Sequence, residues 1–167
     1  MPVIGGNAIQ HGEAYEGMPA DAELYNHVSK LNNTAAAIAY GRGVVSDTVD
    51  PDGSAMLPNG TSTAGKFIGV VVRELNRAYQ EGQFFGAPVA RDMTVRTAGP
   101  IWVRALVAVA KDDPVYLVIG DGTGVNQGRF SNVAGTGPTA AVLIPNAKWV
   151  KSGAAGALAK ISLVIGG

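Results

Sequence analysis

The chain contains no cysteine among its 167 residues. Disulfide bonds, thiolate metal sites and cysteine nucleophiles are therefore excluded. A chain of about 150 residues can bury roughly 70% of the surface that it exposes when unfolded, so the protein does not need such cross-links to fold. We expect a single domain, with enough length left over for an arm.

Charge is scarce and balanced. Charged residues make up 16% of the chain, and 13 basic residues cancel 13 acidic ones, whereas about 25% charged residues is usual. Because a nucleic-acid binder needs a basic excess to displace counterions, we predict no nucleic-acid partner. A charge-poor surface suits a protein that other chains cover, because the centres of protein interfaces are depleted in charge.

Long hydrophobic runs are also missing. The most apolar stretches, residues 101–110 and 158–165, are interrupted by Arg104 and Lys160, and both are shorter than the roughly 20 residues that span a bilayer. The first nine residues lack the basic start of a secretory signal. The sequence predicts neither a membrane span nor a signal peptide.

Residues for catalysis or metal binding are few. The only histidines are His11 and His27, near the N-terminus, so a Ser-His-Asp arrangement has no support. Asp47, Asp50 and Asp52 lie close together but lack the other ligands of a calcium loop, which favours an ordinary acidic turn. We assign no catalytic residue, no cofactor and no metal, and we predict that the protein is not an enzyme.

Two glycine-rich stretches resemble nucleotide-binding motifs. Residues 60–66 match a phosphate-binding loop, but Phe67 stands where Ser or Thr should hold Mg²⁺, and the residues that follow predict a strand rather than a helix. Residues 120–124 match a dinucleotide motif only in part. We interpret the second stretch as a hairpin loop.

The chain divides into an acidic N-terminal arm, residues 1–34, and a body, residues 35–167. The arm holds four acidic residues and one lysine, a net charge of −3, which leaves the body at +3. Glycines and a proline interrupt the arm, so we expect it to be largely irregular. One short helix would be allowed there, because Leu24, Val28 and Leu31 share a helical face.

The body has the pattern of an all-β fold, with short apolar runs separated by Gly, Pro, Asp and Asn. The clearest run alternates Ala159, Ile161, Leu163 and Ile165 with more polar residues. We predict a compact β-barrel or sandwich. Its candidate strands are residues 35–46, 66–75, 93–97, 101–110, 115–119, 140–144 and 157–165.

Several segments, taken in order, resemble the capsid cement, or decoration, proteins of tailed bacteriophages. Residues 14–47 (AYEGMPADAELYNHVSKLNNTAAAIAYGRGVVSD) are similar to the start of that family, with its Ala-Ile-x-aromatic-Gly-Arg-x-Val strand at residues 37–44. Further similar segments are FIGV at 67–70, GPIWV at 99–103, KDDPVY at 111–116, GRF at 128–130 and the ending at 145–165.

The resemblance implies a β-rich body, usually a homotrimer, on the outer surface of the phage head. There it would bridge neighbouring capsomers of the major capsid protein and carry out no reaction. The arm can offset the entropy lost on ordering only by burying apolar side chains on a partner. We therefore predict that Val3, Ile4, Ile9, Tyr15 and Met18 contact the partner.

An alternative interpretation remains open from the sequence. A β-rich module could instead bind a small molecule or a glycan, with Trp102, Trp149 or Tyr79 lining the site. An enzyme is the third and least favoured candidate, because the predicted strands bring together no histidine and no pair of carboxylates.

Overall fold

A computed structural model describes residues 14–21, 24–74, 86–120 and 124–163. Within these ranges nearly all regular structure is β-strand, which confirms the predicted all-β class. The strands are β1 (Asn26–Asn32), β2 (Ile38–Ala39), β3 (Gly43–Ser46), β4 (Ser54–Met56), β5 (Phe67–Val71), β6 (Gly86–Ala87), β7 (Asp92–Arg104), β8 (Pro114–Val118), β9 (Phe130–Ser131), β10 (Ala141–Lys151) and β11 (Leu158–Leu163). Short 3-10 helices lie at Ala64–Lys66 and Gly137–Thr139.

Nine strands form one sheet that closes on itself. Their order is β1-β4-β3-β5-β7-β11-β10-β8-β9, and β1 also pairs with β7, so that the first five strands of this order make a closed barrel. The other four extend from β7, and a bridge between Ala105 and Phe130 returns β9 to the residues that follow β7. The strands at both ends of the sheet order are therefore paired, and β7 belongs to both halves.

The long strand β7 was predicted as two strands separated at Gly99-Pro100. It runs unbroken for 13 residues, with Gly99 at a φ of 94°. At this point the strand changes neighbours, from β1 and β5 before Gly99 to β11 from Gly99 onward. Pro100, which has no N–H to donate, accepts a hydrogen bond from the Ala20 N–H at 3.1 Å.

Two hydrophobic cores lie on opposite faces of β3 and β5. Because successive side chains of a strand point to opposite faces, Val44 and Val71 enter one core while Val45 and Val70 enter the other. The small core also contains Ile38, Tyr40, Ala55, Ala87, Met93 and Val95. The large core also contains Val72, Ile101, Val103, Ala105, Val109, Val115, Leu117, Phe130, Ile144, Ala147, Trp149, Ala159, Ile161 and Leu163.

The short helix allowed at residues 24–31 was wrong. Residues Asn26–Asn32 form β1, which pairs antiparallel with β7 and parallel with β4. Val28 packs against the small core, whereas Leu24 is 95% exposed. Residues 26–32 of the predicted arm thus belong to the sheet, and the division into arm and body stays a prediction.

The first glycine-rich stretch, residues 60–66, has the context of a turn before a strand. Residues 60–66 lead into β5 rather than into an α-helix, so they lack the context of a phosphate-binding loop. β8 and β9 pair antiparallel, which agrees with a hairpin around residues 120–124, although 121–123 lie outside the described residues.

The acidic stretch forms a turn as well. The Asp50 carboxylate accepts a hydrogen bond from the Gly53 N–H at 3.0 Å, and the Asp47 carboxylate accepts one from the Thr48 N–H at 2.6 Å. Nowhere in the described ranges do three or more His, Cys, Asp or Glu residues gather as a metal site would require. Across the same ranges, no helix has the length and apolar character to cross a membrane.

Candidate interaction surface

The middle of the predicted arm, residues 14–21, is fixed to strand β7. Residues 14–21 run alongside the second half of β7, where the Gly17 N–H donates to the Trp102 carbonyl at 2.8 Å and the Trp102 N–H donates to the Met18 carbonyl at 3.0 Å. Pro19 forms an antiparallel bridge with Ile101. Residues 14–21 are therefore held at a fixed position on the body.

Gly17 allows this close attachment. Its φ of 80° is one that side chains disfavour, and a Cβ at this position would lie 2.7 Å from the Gly41 nitrogen. The Gly17 carbonyl accepts a hydrogen bond from the Arg73 N–H at 2.9 Å. In the sequence this glycine predicted irregular structure. In the structure it allows the backbone at Gly17 to approach the backbone at Gly41 closely.

Two ion pairs fasten the same segment. Glu16 lies 3.3 Å from the Nε of Arg104, and Asp21 lies 2.7 Å from the Nζ of Lys160. Burial lowers the pKa of Arg42, and the Glu16 carboxylate opposes that shift. Partly exposed pairs of this kind contribute about 0–1 kcal/mol each, so the backbone hydrogen bonds, with the fit at Gly17, carry most of the attachment.

A cleft of about 360 Å³ opens beside this segment. Its lining includes Tyr15, Glu16, Tyr40, Arg73 and Arg104. The Arg73 guanidinium lies 4.3 Å from the centre of the Tyr15 ring, a cation–π contact. The cleft combines aromatic rings with two arginines and one carboxylate, which suits a mixed apolar and acidic segment of a partner.

The predicted contact residues fall in different places. Tyr15 is 46% exposed and lines this cleft. Met18 is half-buried beside β7. Val3, Ile4 and Ile9 lie outside the described residues. Tyr15 is therefore available to a partner, and the contact itself stays a prediction.

The two tryptophans do not form a platform for a glycan. Trp149 is fully buried in the large core, and its indole N–H donates to the Ser131 carbonyl at 3.4 Å. Trp102 is 6% exposed and lies under the ammonium groups of Lys151 and Lys160, at 4.9 and 6.0 Å from the ring centre. Tyr79 lies outside the described residues.

Arg96, in the middle of β7, was not singled out from the sequence. The residue is fully buried, and its Nε and Nη2 atoms have no hydrogen-bond partner among the described residues. Its Nη1 lies 3.5 Å from the Nε2 of His27, and its guanidinium lies 4.8 Å from the centre of the Tyr25 ring. Burial lowers the pKa of Arg96, while burial and then the Arg96 charge lower the pKa of His27.

The backbone around Gly99 makes room for this guanidinium. A Cβ on Gly99 would lie 2.8 Å from the Nη2 of Arg96, 2.8 Å from the Leu24 carbonyl oxygen and 2.9 Å from the Cβ of Tyr25. The segment that leads into β1 therefore covers Arg96 directly. A single arginine in an apolar strand carries no sequence signal of such burial, because long basic side chains usually reach solvent.

Several large apolar side chains remain exposed. Leu24 is the most exposed, and Tyr25, next to it, is 57% exposed. The others among the described residues are Tyr15, Val49, Val89, Val125, Val133 and Leu143. Leu24 and Tyr25 are adjacent in the chain, and the Tyr25 ring contacts the buried Arg96 guanidinium.

The comparisons with known proteins decide the family. The model of the family described as "Structural cement protein (E217 gp24/Pam3 gp6)" matches residues 6–164. The chain belongs to this family. It is a structural protein of the phage capsid and is located in the virion.

A solved structure supports the fold of this cement protein. A chain of "The capsid of Myoviridae Phage XM1" superimposes with a TM-score of 0.73 and 19% sequence identity, over 95% of this chain and 96% of that chain. No curated protein matches the sequence. At that identity the likeness shows the shared fold.

Proposed function

We propose that this cement protein forms a homotrimer on the outer surface of the phage head and bridges neighbouring capsomers of the major capsid protein without carrying out a reaction. The observation that supports it most is the fixed attachment of residues 14–21 along β7. In this proposal residues 14–21 stay on the barrel while the residues that precede them reach a neighbouring chain.

The arm supplies the bridging contact in this proposal. Ordering a free segment costs about 1–2 kcal/mol per residue in conformational entropy. Burial of Val3, Ile4, Ile9, Tyr15 and Met18 on the neighbouring chain offsets that cost. Because many copies bind one closed lattice, a modest affinity at each contact is multiplied by multivalency.

The test uses heads assembled without the protein. Purified protein is added to them, and occupancy is measured by co-sedimentation. A variant that lacks residues 1–13 keeps the attachment along β7, so its melting temperature should match that of the full chain while its affinity for heads falls at least tenfold.

A second variant keeps the full length of the arm and shows whether its apolar side chains, rather than its backbone alone, are needed for binding. Val3, Ile4 and Ile9 are replaced together by Ser, which removes apolar surface but leaves the backbone. The same loss of affinity is expected. Unchanged occupancy for both variants would refute the arm's role.

Bridging and trimer formation have separate measurements. Heads saturated with the full chain should resist heat and osmotic shock better than bare heads, and equal resistance would contradict bridging. Sedimentation of the isolated protein should give three times the mass of the chain. A monomer at high concentration would contradict the trimer.

A further inference from the structure

Arg96 carries a charge to which the described residues offer no carboxylate partner. Its Nε and Nη2 are buried and bond to none of the described residues. Within the same part of the chain no carboxylate lies within ion-pair distance of its guanidinium. Asp21, whose charge acts on Arg96 from a distance, is engaged at 2.7 Å by Lys160.

A buried guanidinium in this state is poorly matched to its surroundings. An unpaired charge in a low-dielectric site is destabilising, and the arginine cannot escape by losing its proton. Its neighbours are the imidazole of His27 and the face of the Tyr25 ring. Neither supplies a negatively charged acceptor for the planar fork in which Nε and Nη2 donate.

One of the groups that cover the buried Arg96 is a partly exposed side chain. The Tyr25 ring lies over the guanidinium and is itself 57% exposed. Gly99 has no side chain beside the Tyr25 Cβ, so no side chain at position 99 blocks rotation of the Tyr25 ring away from the guanidinium. Leu24, beside it and 95% exposed, offers apolar contact to whatever enters.

We propose that Arg96 is the binding site for a carboxylate side chain, an Asp or Glu of the major capsid protein, which enters as Tyr25 turns aside and bonds Nε and Nη2 together. The inference rests on the proposed function. The capsid protein is the chosen source because the attached segment, which carries the predicted contacts Tyr15 and Met18, bonds through Ala20 to Pro100, four residues along β7 from Arg96.

The first experiment removes the charge while keeping the length of the side chain. Arg96→Met should bind heads at least tenfold more weakly than the wild type, because the capsid carboxylate would then be buried without a partner. The isolated variant should melt at the same or a higher temperature, since the unpaired buried charge is gone. Arg91→Met, an exposed arginine just before β7, is the control and should bind as the wild type does.

A second variant occupies the site from within. His27→Glu places a carboxylate opposite Arg96 on β1, where the histidine ring now lies 3.5 Å from Nη1. This variant should melt at a higher temperature and bind heads at least tenfold more weakly, because the guanidinium is already satisfied. Ser29→Glu adds the same charge two residues along the same face of β1, opposite Thr94, and should change neither property.

The outcomes separate this inference from the proposed function. If the wild type does not bind heads at all, both are overturned. If the wild type binds and both Arg96→Met and His27→Glu bind within twofold of it, the carboxylate site alone is overturned. If the two variants lose self-association in solution while each assembled oligomer binds heads normally, the carboxylate comes from a second copy and the capsid assignment is wrong.

Discussion

The large and small cores share β7 but differ in what surrounds them. Sixteen buried residues fill the large core, including Trp149 and Phe130, whereas the small core has eight and a single aromatic ring. Most of the buried polar residues that the structure describes lie on or next to the five strands of the closed barrel that β1, β3, β4, β5 and β7 form. Asn32, Ser54 and Arg96 are among them. Burial of apolar side chains therefore stabilises the half around the large core. Hydrogen bonds of buried polar groups contribute a larger part of the stability in the half around the small core.

The strongest test of this contrast is Trp149→Ala. Removing the largest buried side chain of the large core should lower the free energy of unfolding by about 3–5 kcal/mol. Because β7 runs through both halves, we expect one cooperative urea transition, shifted as a whole, when fluorescence and circular dichroism are followed together.

Val71→Ala in the small core is the matched comparison, with an expected loss of about 2 kcal/mol. Two separated transitions in Trp149→Ala would contradict the coupling through β7. A larger loss from Val71→Ala than from Trp149→Ala would contradict the assignment of apolar stabilisation to the large core.

Asn32→Leu tests the polar half. The Asn32 amide lies 3.0–3.1 Å from the carbonyls of Ala36, Ala87 and Pro88, and its oxygen accepts a hydrogen bond from the Thr34 N–H at 3.0 Å. Leucine would leave these groups without partners in a buried site, so we expect a loss of about 2–3 kcal/mol, measured by urea unfolding.

The control for Asn32→Leu is Asn26→Leu, at the exposed start of β1. That side chain donates one exposed hydrogen bond to Thr97 at 2.9 Å, so its loss should stay within about 0.5 kcal/mol. Equal effects at the two positions would show that the buried hydrogen bonds add nothing.

The smallest expected effect is a pH dependence from His27. Its pKa in the folded protein lies below the ordinary 6.5, so protonation favours the unfolded chain. The stability that neutral His27 contributes is complete above pH 6.5 and is lost as the pH falls through the lower folded pKa. His27→Gln should therefore reduce the fall in urea midpoint between pH 7 and pH 5.

Two checks isolate the histidine. Hydrogen bonds lower the pKa values of Asp47 and Asp113. The stability that these two carboxylates contribute is therefore lost only as the pH falls below their ordinary pKa of 3.8, outside the range from pH 7 to pH 5. His11→Gln removes the other histidine and should leave the pH dependence intact. If His27→Gln and the wild type lose the same stability between pH 7 and pH 5, the shift at His27 is refuted.

Strands with clear alternation could be predicted from the sequence, and β1 could not. Residues 158–163 alternate buried and half-buried side chains as the pattern indicated. In β1 the apolar residues are Val28 and Leu31, a spacing that fits one face of a helix. Pairing with β7 and β4 overrides that local preference, and such pairing leaves no mark in the segment's own sequence.

The interaction surface was predictable to a smaller extent. Tyr15 was predicted to contact a partner, and the structure places it, partly exposed, beside a cleft. Arg96 could not be predicted, because its burial depends on Gly99 and on residues about seventy positions earlier in the chain. The closed sheet brings these distant residues together. The sequence predicted a β-barrel or sandwich but not the order of its strands.

A sheet whose end strands both have neighbours has one more consequence. Open strand edges act as templates on which other chains polymerise. The closure of β1 on β7 and the return of β9 leave neither end strand of the nine-stranded sheet open as such a template, so copies held side by side on a capsid, as we propose, could not start fibres there.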